Sequence, residues 1–333
     1  MGHVVNREVL VVSHSHARAV EARAELEQQL AAHGLTVRAA EEIAPYDAVL
    51  PEQPAWLSSV EVVVVLGGDG TILRAVELVR GTDVPVVGIN LGHVGFLAES
   101  DVAEITDLVG QIARRDYTVE HRMTIDVRAI TPDGAVHEAW AMNEATVEKN
   151  RPERMIELAI GVDGRALETF GCDGVVLATP TGSTAYAFSA GGPVVWPDVE
   201  ALLLVPLSAH ALFARPLVVG PSSVLEVELL TRTATAATMW CDGRRTLDLP
   251  PGSRVEARRG VHPVAIARLS PGPFSERLVR KFDLPVAGWR GRRAPCSRSC
   301  GSAISASSPR PRSNRRPASP RSPVRPAPAR RCC

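Results

Sequence analysis

Apolar runs alternate with amphipathic segments along the first third of the chain. The most continuous run is Val62–Leu66, in which four of five residues are valine, as is typical of a strand buried on both faces of a parallel sheet. Two glycines and an aspartate follow soon after, and Ile72–Val79 then places apolar residues at helical spacing. The pattern predicts a strand, a tight loop and a helix in immediate succession.

The same alternation continues on both sides of this unit. Further strands are predicted at Arg7–Ser13, Leu35–Val37 and Val84–Asn90, with helices at Ala17–His33 and Asp101–Arg114. Strands that alternate with helices predict a parallel, doubly wound, Rossmann-like sheet. We expect this α/β domain to span residues 1–118. We also expect residues 271–290, which include a short helix at Phe274–Phe282, to pack back on it.

From Thr118 onward the segments become short, and apolar residues alternate with polar ones. Strands are predicted at Met123–Ile130, Val136–Ala141, Thr146–Lys149, Met155–Val162, Val175–Thr179, Val224–Leu230, Ala237–Asp242 and Arg254–Arg259. Many short strands with few helices between them predict an all-β, sandwich-like domain, which we place at residues 119–270.

Charge is distributed unevenly along the chain. Residues 291–333 contain eleven arginines, nine serines and eight prolines but no Asp, Glu or Lys. Such a segment buries too little apolar surface to offset its ordering entropy, so we expect a disordered tail. Because the whole chain is formally neutral, residues 1–290 carry a net charge of −11. An acidic body argues against general nucleic-acid binding, which requires a basic surface.

Two further features bear on the compartment. No apolar run reaches the roughly 18 residues that a membrane span requires, and the first residues lack a signal-like apolar region. We therefore expect a cytoplasmic protein with no membrane partner. Only two of the six cysteines, Cys172 and Cys241, precede the tail, so neither a disulfide framework nor a paired-cysteine zinc site is predicted.

The loop after the first long apolar run carries the first candidate chemistry. Its sequence is Leu66-Gly67-Gly68-Asp69-Gly70-Thr71. A glycine loop that opens a helix offers backbone N–H groups to a phosphate, although this loop matches neither the dinucleotide fingerprint nor a Walker A loop. The Asp69 carboxylate repels phosphate unless it binds a metal or takes a proton from an attacking hydroxyl. Alternatively, Asp69 only caps the helix.

Three other polar clusters interrupt apolar strands: Asn143-Glu144, Asp173-Gly174 and the small-residue block Thr179–Pro193. Asn143 can bind an amide-like edge such as that of adenine, and Glu144 can bind the paired hydroxyls of a ribose. The structural alternatives are an exposed strand edge, an Asp-Gly hairpin turn and a polar loop. The third cluster contains no Gly-x-Ser-x-Gly elbow, which argues against a serine hydrolase.

Together, in this order and approximate spacing, these segments resemble the NAD kinase family over roughly residues 5–290. Diacylglycerol, sphingosine and phosphofructokinase-like enzymes share the glycine–aspartate loop, so the block Thr179–Tyr186 is the discriminating feature. The resemblance implies transfer of a phosphoryl group from ATP or polyphosphate to the 2′-hydroxyl of the adenosine ribose of NAD, giving NADP. It also implies Mg²⁺ or another divalent cation with ATP, and a homodimer or homotetramer.

The resemblance also assigns residues. Asp69 would be the catalytic general base, and Gly67, Gly68, Gly70 and Thr71 would form the phosphate loop. The implied NAD-binding residues are Asp69, Gly70, Arg74, Asn143, Glu144, Arg154, Asp173, Thr184, Ala185, Tyr186 and Ser189. No dedicated metal site is expected, since Mg²⁺ is commonly held by substrate phosphates and one or two carboxylates. The alternatives are a lipid or sugar kinase that shares only the loop, and a non-catalytic NAD(P) sensor.

Overall fold

A computed structural model describes residues 7–13, 16–39, 55–90, 95–98, 100–101, 105–212, 214–269 and 272–286. The predicted tail at 291–333 lies outside these residues. None of the helices in the described part is long and apolar enough to cross a membrane.

Strands and helices are numbered in chain order. The strands are β1 Glu8–Ser13, β2 Thr36–Ala39, β3 Val60–Leu66, β4 Val86–Asn90, β5 Ser100–Asp101, β6 Thr118–Arg122, β7 Ile125–Ile130, β8 Val136–Ala141, β9 Glu144–Lys149, β10 Ile156–Val162, β11 Arg165–Cys172, β12 Gly174–Ala178, β13 Leu202–Leu207, β14 Leu217–Val219, β15 Leu225–Leu229, β16 Ala237–Cys241, β17 Arg245–Leu249, β18 Arg254–Arg259 and β19 Val264–Arg268. The helices are α1 Ala17–Ala32, α2 Asp69–Val79, α3 Ile105–Arg114, α4 Tyr186–Ser189 and α5 Phe274–Phe282.

The first sheet has the order β2-β1-β3-β4-β19-β6, and β5 also pairs with β4. All these pairings are parallel except that of β19 with β6. β3 lies between β1 and β4, and Val62–Leu66 is completely buried because α1 and α3 pack on one face and α2 on the other. The predicted strand buried on both faces, and the predicted parallel α/β sheet, are confirmed.

Two antiparallel six-stranded sheets form the rest of the fold. Their orders are β11-β10-β15-β18-β7-β8 and β14-β13-β12-β9-β16-β17. Apolar side chains from both sheets, such as Val127 and Leu158 from one and Val147 and Leu177 from the other, share one buried core. The predicted all-β, sandwich-like region is thus confirmed.

Two strands at the ends of the β-rich segment belong to the first sheet. β6 and β19 pair with each other, and β19 also pairs with β4. β19 has every residue buried, as expected for a strand inside a largely parallel sheet, and therefore lacks the alternating pattern that the segment 119–270 otherwise shows. The proposed domain boundaries at 118 and 270 remain a prediction.

Candidate functional site

The glycine loop joins β3 to α2 and leaves the start of the helix open. A Cβ atom on Gly67 would lie 2.4 Å from Thr71 Oγ1, so glycine allows the loop to close against the helix. At Gly68 and Gly70 a Cβ would meet no atom of the described residues within 4 Å. The first N–H groups of a helix have no intrahelical acceptor, and an open helix start of this kind can accept an anion.

The Asp69 carboxylate is oriented by a neighbouring segment. Its two oxygens accept hydrogen bonds from the backbone N–H groups of Phe96, at 3.1 Å, and of Leu97, at 3.2 Å. Gly68 occupies the N-cap position of α2, and within the described part of the chain no side chain caps this helix. The structure therefore does not support the alternative in which Asp69 only caps the helix. Arg74, in the next turn of α2, is buried.

The Asn143-Glu144 pair lies at the start of β9, in the middle of its sheet rather than at an edge. The Asp242 carboxylate accepts hydrogen bonds from three successive backbone N–H groups, those of Met142 at 2.9 Å, Asn143 at 2.7 Å and Glu144 at 3.4 Å. Burial raises the pKa of Asp242, and the Arg245 guanidinium and these N–H groups oppose that shift. Asp242 thus fixes the backbone that presents both polar side chains.

The small-residue block packs directly on this backbone. Thr179 Oγ1 donates a hydrogen bond to the Met142 carbonyl at 2.6 Å, and the Thr179 N–H donates to the Asn143 carbonyl at 2.9 Å. A Cβ atom on Gly182 would lie 2.0 Å from the Asn143 oxygen. The first and third polar clusters, separated in sequence, therefore meet in the structure because a threonine and a glycine stand at these positions.

Glu144 is a buried carboxyl whose bonding capacity is not filled. Burial, and secondly the nearby Asp242 carboxylate, raise the pKa of Glu144 to about 8, while a hydrogen bond from the Tyr186 backbone opposes the shift. Among the described residues Glu144 Oε2 has no hydrogen-bond partner. A buried acceptor without a partner is costly, so this oxygen suits a hydroxyl group of a bound molecule.

A cavity of about 580 Å³ adjoins the small-residue block, and Asp173, Tyr186 and Ser189 line it. Asp173-Gly174 does not form a hairpin turn, because β11 and β12 belong to different sheets. The Lys149 ammonium lies 2.5 Å from Asp173 Oδ1, and this hydrogen bond holds the pKa of Asp173 below its usual value. Lys149 also lines the cavity and was not predicted from the sequence.

The other predicted residues of the β-rich region either line this cavity or lie close in sequence to residues that line it. Tyr186 Oη donates a hydrogen bond to Glu148 Oε2 at 3.3 Å, and burial raises the Tyr186 pKa. Thr184, the last residue of a short 3₁₀ turn, and Ala185, which joins this turn to α4, are half-buried. Arg154 is exposed, in the same turn as the cavity-lining Pro152. The part of the chain that the structure describes contains no group of three His, Cys, Asp or Glu that could hold a metal ion.

Two family models match the chain: the ATP-NAD kinase N-terminal domain over residues 52–117, and the ATP-NAD kinase C-terminal domain over residues 142–269. The NAD kinase of Leifsonia xyli is 54% identical over 297 residues, which are 86% of this chain and 97% of that relative. The NAD kinase of Thermobifida fusca is 52% identical over 310 residues, covering 88% of this chain and 94% of that relative.

Two solved structures are similar. An NAD kinase from Archaeoglobus fulgidus in complex with ATP has a TM-score of 0.63 and 27% identity, covering 83% of this chain and 97% of that one. A yeast NADH kinase complexed with NADH has a TM-score of 0.74 and 24% identity, covering 86% of this chain and 90% of that one. At that identity, the yeast structure supports the fold alone.

Proposed function

Because the chain belongs to the NAD kinase family, we propose that it transfers a phosphoryl group to the 2′-hydroxyl of the adenosine ribose of NAD, giving NADP. The observation that carries this proposal is the placement of Asp69. Its carboxylate lies at the open N-terminus of α2, and two backbone N–H groups orient it. A carboxylate base and an anion site are thus adjacent, as phosphoryl transfer to a hydroxyl requires.

Asp69 acts as the general base in this proposal. It accepts the proton of the 2′-hydroxyl while the N–H groups at the start of α2, with the loop residues Gly67, Gly68, Gly70 and Thr71, bind phosphate oxygens. The similarity to an NAD kinase solved with ATP supports ATP as the donor, and polyphosphate is the second donor to test.

The acceptor binds along the β-rich region. Asn143 hydrogen-bonds adenine, the unpartnered Glu144 oxygen accepts from a ribose hydroxyl, and Asp173 lies towards the nicotinamide end. The adenine pocket is completed by Thr184, Ala185, Tyr186 and Ser189. Arg74 and Arg154 are proposed as further contacts to NAD.

A divalent cation such as Mg²⁺ fits this arrangement if ATP carries it. The described residues include no group of acidic side chains that would form a metal cage. Phosphate oxygens would supply most of the ligands, and the bound cation would neutralise phosphate charge. We also propose assembly as a homodimer or homotetramer, which size-exclusion chromatography with light scattering would measure.

The test is formation of NADP by the purified protein from NAD, ATP and Mg²⁺, followed with an NADP-specific dehydrogenase. Asp69→Asn should lower kcat by about 10² to 10⁴-fold, the usual contribution of a positioned general base, and should leave NAD binding intact. Asp83→Asn, an exposed residue after α2, is the matched control. The proposal would be refuted if no NADP formed with ATP and none formed with polyphosphate.

The alternatives give different results in the same assay. A lipid or sugar kinase would consume ATP with its own acceptor but not with NAD, and matches to both ATP-NAD kinase domains do not favour it. A non-catalytic sensor would bind NAD and produce no NADP.

A further inference from the structure

Arg245, the first residue of β17, contacts three separate parts of the fold. Its Nε donates to Glu77 Oε1 at 3.0 Å, its Nη1 donates to the Trp140 carbonyl at 2.7 Å, and its Nη2 donates to Asp242 Oδ2 at 3.0 Å. The planar guanidinium suits this task because its donors point in fixed, different directions.

The three partners connect the two halves of the proposed site. Glu77 lies on α2, the helix that begins with Asp69. Trp140 lies on β8, three residues before Asn143, and Asp242 holds the backbone N–H groups of residues 142–144. A single side chain therefore links the helix that carries the general base to the backbone that carries Glu144.

The surroundings of Arg245 make this link stiff. The guanidinium carbons of Arg245 and Arg80 lie 4.5 Å and 4.4 Å from the centre of the Trp140 ring. Arg80 is also on the α2 side of the contact, and it pairs with Asp126 of β7 at 3.0 Å. Because each of these charges has an opposite charge or an aromatic ring beside it, the group resists movement of α2 relative to β8.

We propose that Arg245 is a positioning residue that sets the distance between Asp69 and the ribose held by Glu144. This inference rests on the proposed function. It predicts an effect on kcat more than on NAD affinity, because Arg245 supports the backbone behind the binding residues, whereas small displacements of a base from its hydroxyl reduce the rate strongly.

The variants are Arg245→Lys, Arg245→Met and Arg245→Met combined with Glu77→Gln, which also removes the carboxylate that Arg245→Met would leave paired with Arg244 at 3.4 Å. Arg254→Met is the matched control, because Arg254 also begins a strand and pairs with two carboxylates, Glu226 and Glu256, away from α2. Each protein is assayed for kcat and for KM of NAD, and its folded fraction is measured by circular dichroism.

We expect kcat to fall about 10 to 10²-fold in all three Arg245 variants, with KM changing less than threefold and Arg254→Met unchanged. Arg245→Lys should not rescue kcat, because a single ammonium cannot replace three directed donors. Recovery of full kcat with lysine, a change in KM alone, or an equal loss in Arg254→Met would overturn the proposal.

Hydrogen exchange provides a readout that does not depend on turnover. In the wild-type protein the amides of Met142, Asn143 and Glu144 should be protected, and in Arg245→Met their exchange should accelerate at least tenfold while that of β18 stays constant. Unchanged protection would refute the positioning role. If the wild-type protein makes no NADP, the proposed function fails, whereas the exchange result still decides whether Arg245 holds this backbone.

Discussion

The backbone of Gly95 lies against the Asp69 carboxylate. A Cβ atom built on Gly95 would come 2.3 Å from Asp69 Oδ1 and 3.0 Å from its Cγ. The two residues that follow, Phe96 and Leu97, donate their N–H groups to the same carboxylate. The missing side chain at Gly95 therefore allows the carboxylate to reach its two donors.

Gly95→Ala should turn the Asp69 carboxylate away from these donors. Because the clash is with the end of a side chain, the protein can accommodate alanine by moving Asp69, so stability should change little. We expect kcat to fall by about 10²-fold or more, the contribution of a positioned base. Steady-state kinetics and thermal unfolding test this, with Gly220→Ala, where a Cβ meets no atom within 4 Å, as control. Wild-type kcat in Gly95→Ala would contradict the role of this contact.

Gly182→Ala should affect folding as well as binding. The added Cβ would lie 2.0 Å from the carbonyl oxygen and 2.5 Å from the carbonyl carbon of Asn143, and backbone atoms cannot rotate away. We expect a loss of about 1–3 kcal/mol in the free energy of unfolding, typical of overpacking, together with weaker NAD binding. Denaturant titration and calorimetry measure both quantities.

The comparison variant is Gly171→Ala, whose Cβ would approach only Met155 side-chain atoms, at 3.8 Å or more. Equal stability of the two variants would show that the block at Thr179–Pro193 does not depend on this close approach.

Glu144 should make stability depend on pH. Its pKa is about 8 in the folded protein against 4.5 as the ordinary value, so between these values the folded state holds a proton that the unfolded chain has released. Its favourable contribution is complete below pH 4.5 and is lost as the pH rises through 8, with a slope of at most about 1.4 kcal/mol per pH unit.

Glu144→Gln removes this titration. We expect the variant to have a higher Tm than the wild-type protein at pH 8.5 and a similar Tm at pH 5, in thermal unfolding of the ligand-free proteins. Parallel curves for the two proteins across this range would contradict the raised pKa.

The C-terminal helix should matter for activity although none of its residues is buried. Its contacts include aromatic rings: Phe282 lies 5.5 Å from Phe96 and 4.5 Å from Phe188, measured between ring centroids. Phe96 is one of the two donors to Asp69. Truncation after Gly272 should therefore lower kcat, by about tenfold or more, through loss of this orientation.

Truncation after Arg290, which retains α5, is the matched comparison and should keep full activity, as predicted from the composition of residues 291–333. Activity measurements on both truncated proteins, with circular dichroism as a folding check, separate the helix from the tail. Equal activity after removal of α5 would contradict the role of this helix. Loss of activity in the protein that ends at Arg290 would contradict the prediction that residues 291–333 are dispensable.

Local periodicity was sufficient to predict most elements of the fold. The bounds of α5, β8 and β18 match the predicted ranges, because apolar and polar residues alternate or repeat at a regular spacing within each of these elements. The pattern does not predict β5, β6, β11, β13, β14, β17 and β19, and it places Asp101 of β5 in the helix predicted at Asp101–Arg114. β11 and β17 are partly exposed edge strands, whereas β19 pairs with β4 and β6, which lie far away in the chain.

The site was predictable to the extent that side chains define it. Asp69, Asn143 and Glu144 stand out because a polar residue in an apolar context is unusual. The N–H groups of Phe96 and Leu97 could not be predicted, since every residue except proline carries such a donor and only the fold aims it. The role of Arg245 could not be predicted either, because its three partners come together only through tertiary packing.

The position of β19 also constrains how the chain reaches its native state. β4 acquires its neighbour β19 only when residues 264–268 are available, about 175 residues later in the chain. During synthesis on the ribosome, the part of the β4 edge that pairs with β19 stays unpaired until the β-rich segment has been translated. We therefore expect the early sheet to be the part of the nascent protein most exposed to mispairing, and a chain interrupted before β19 to be prone to aggregation.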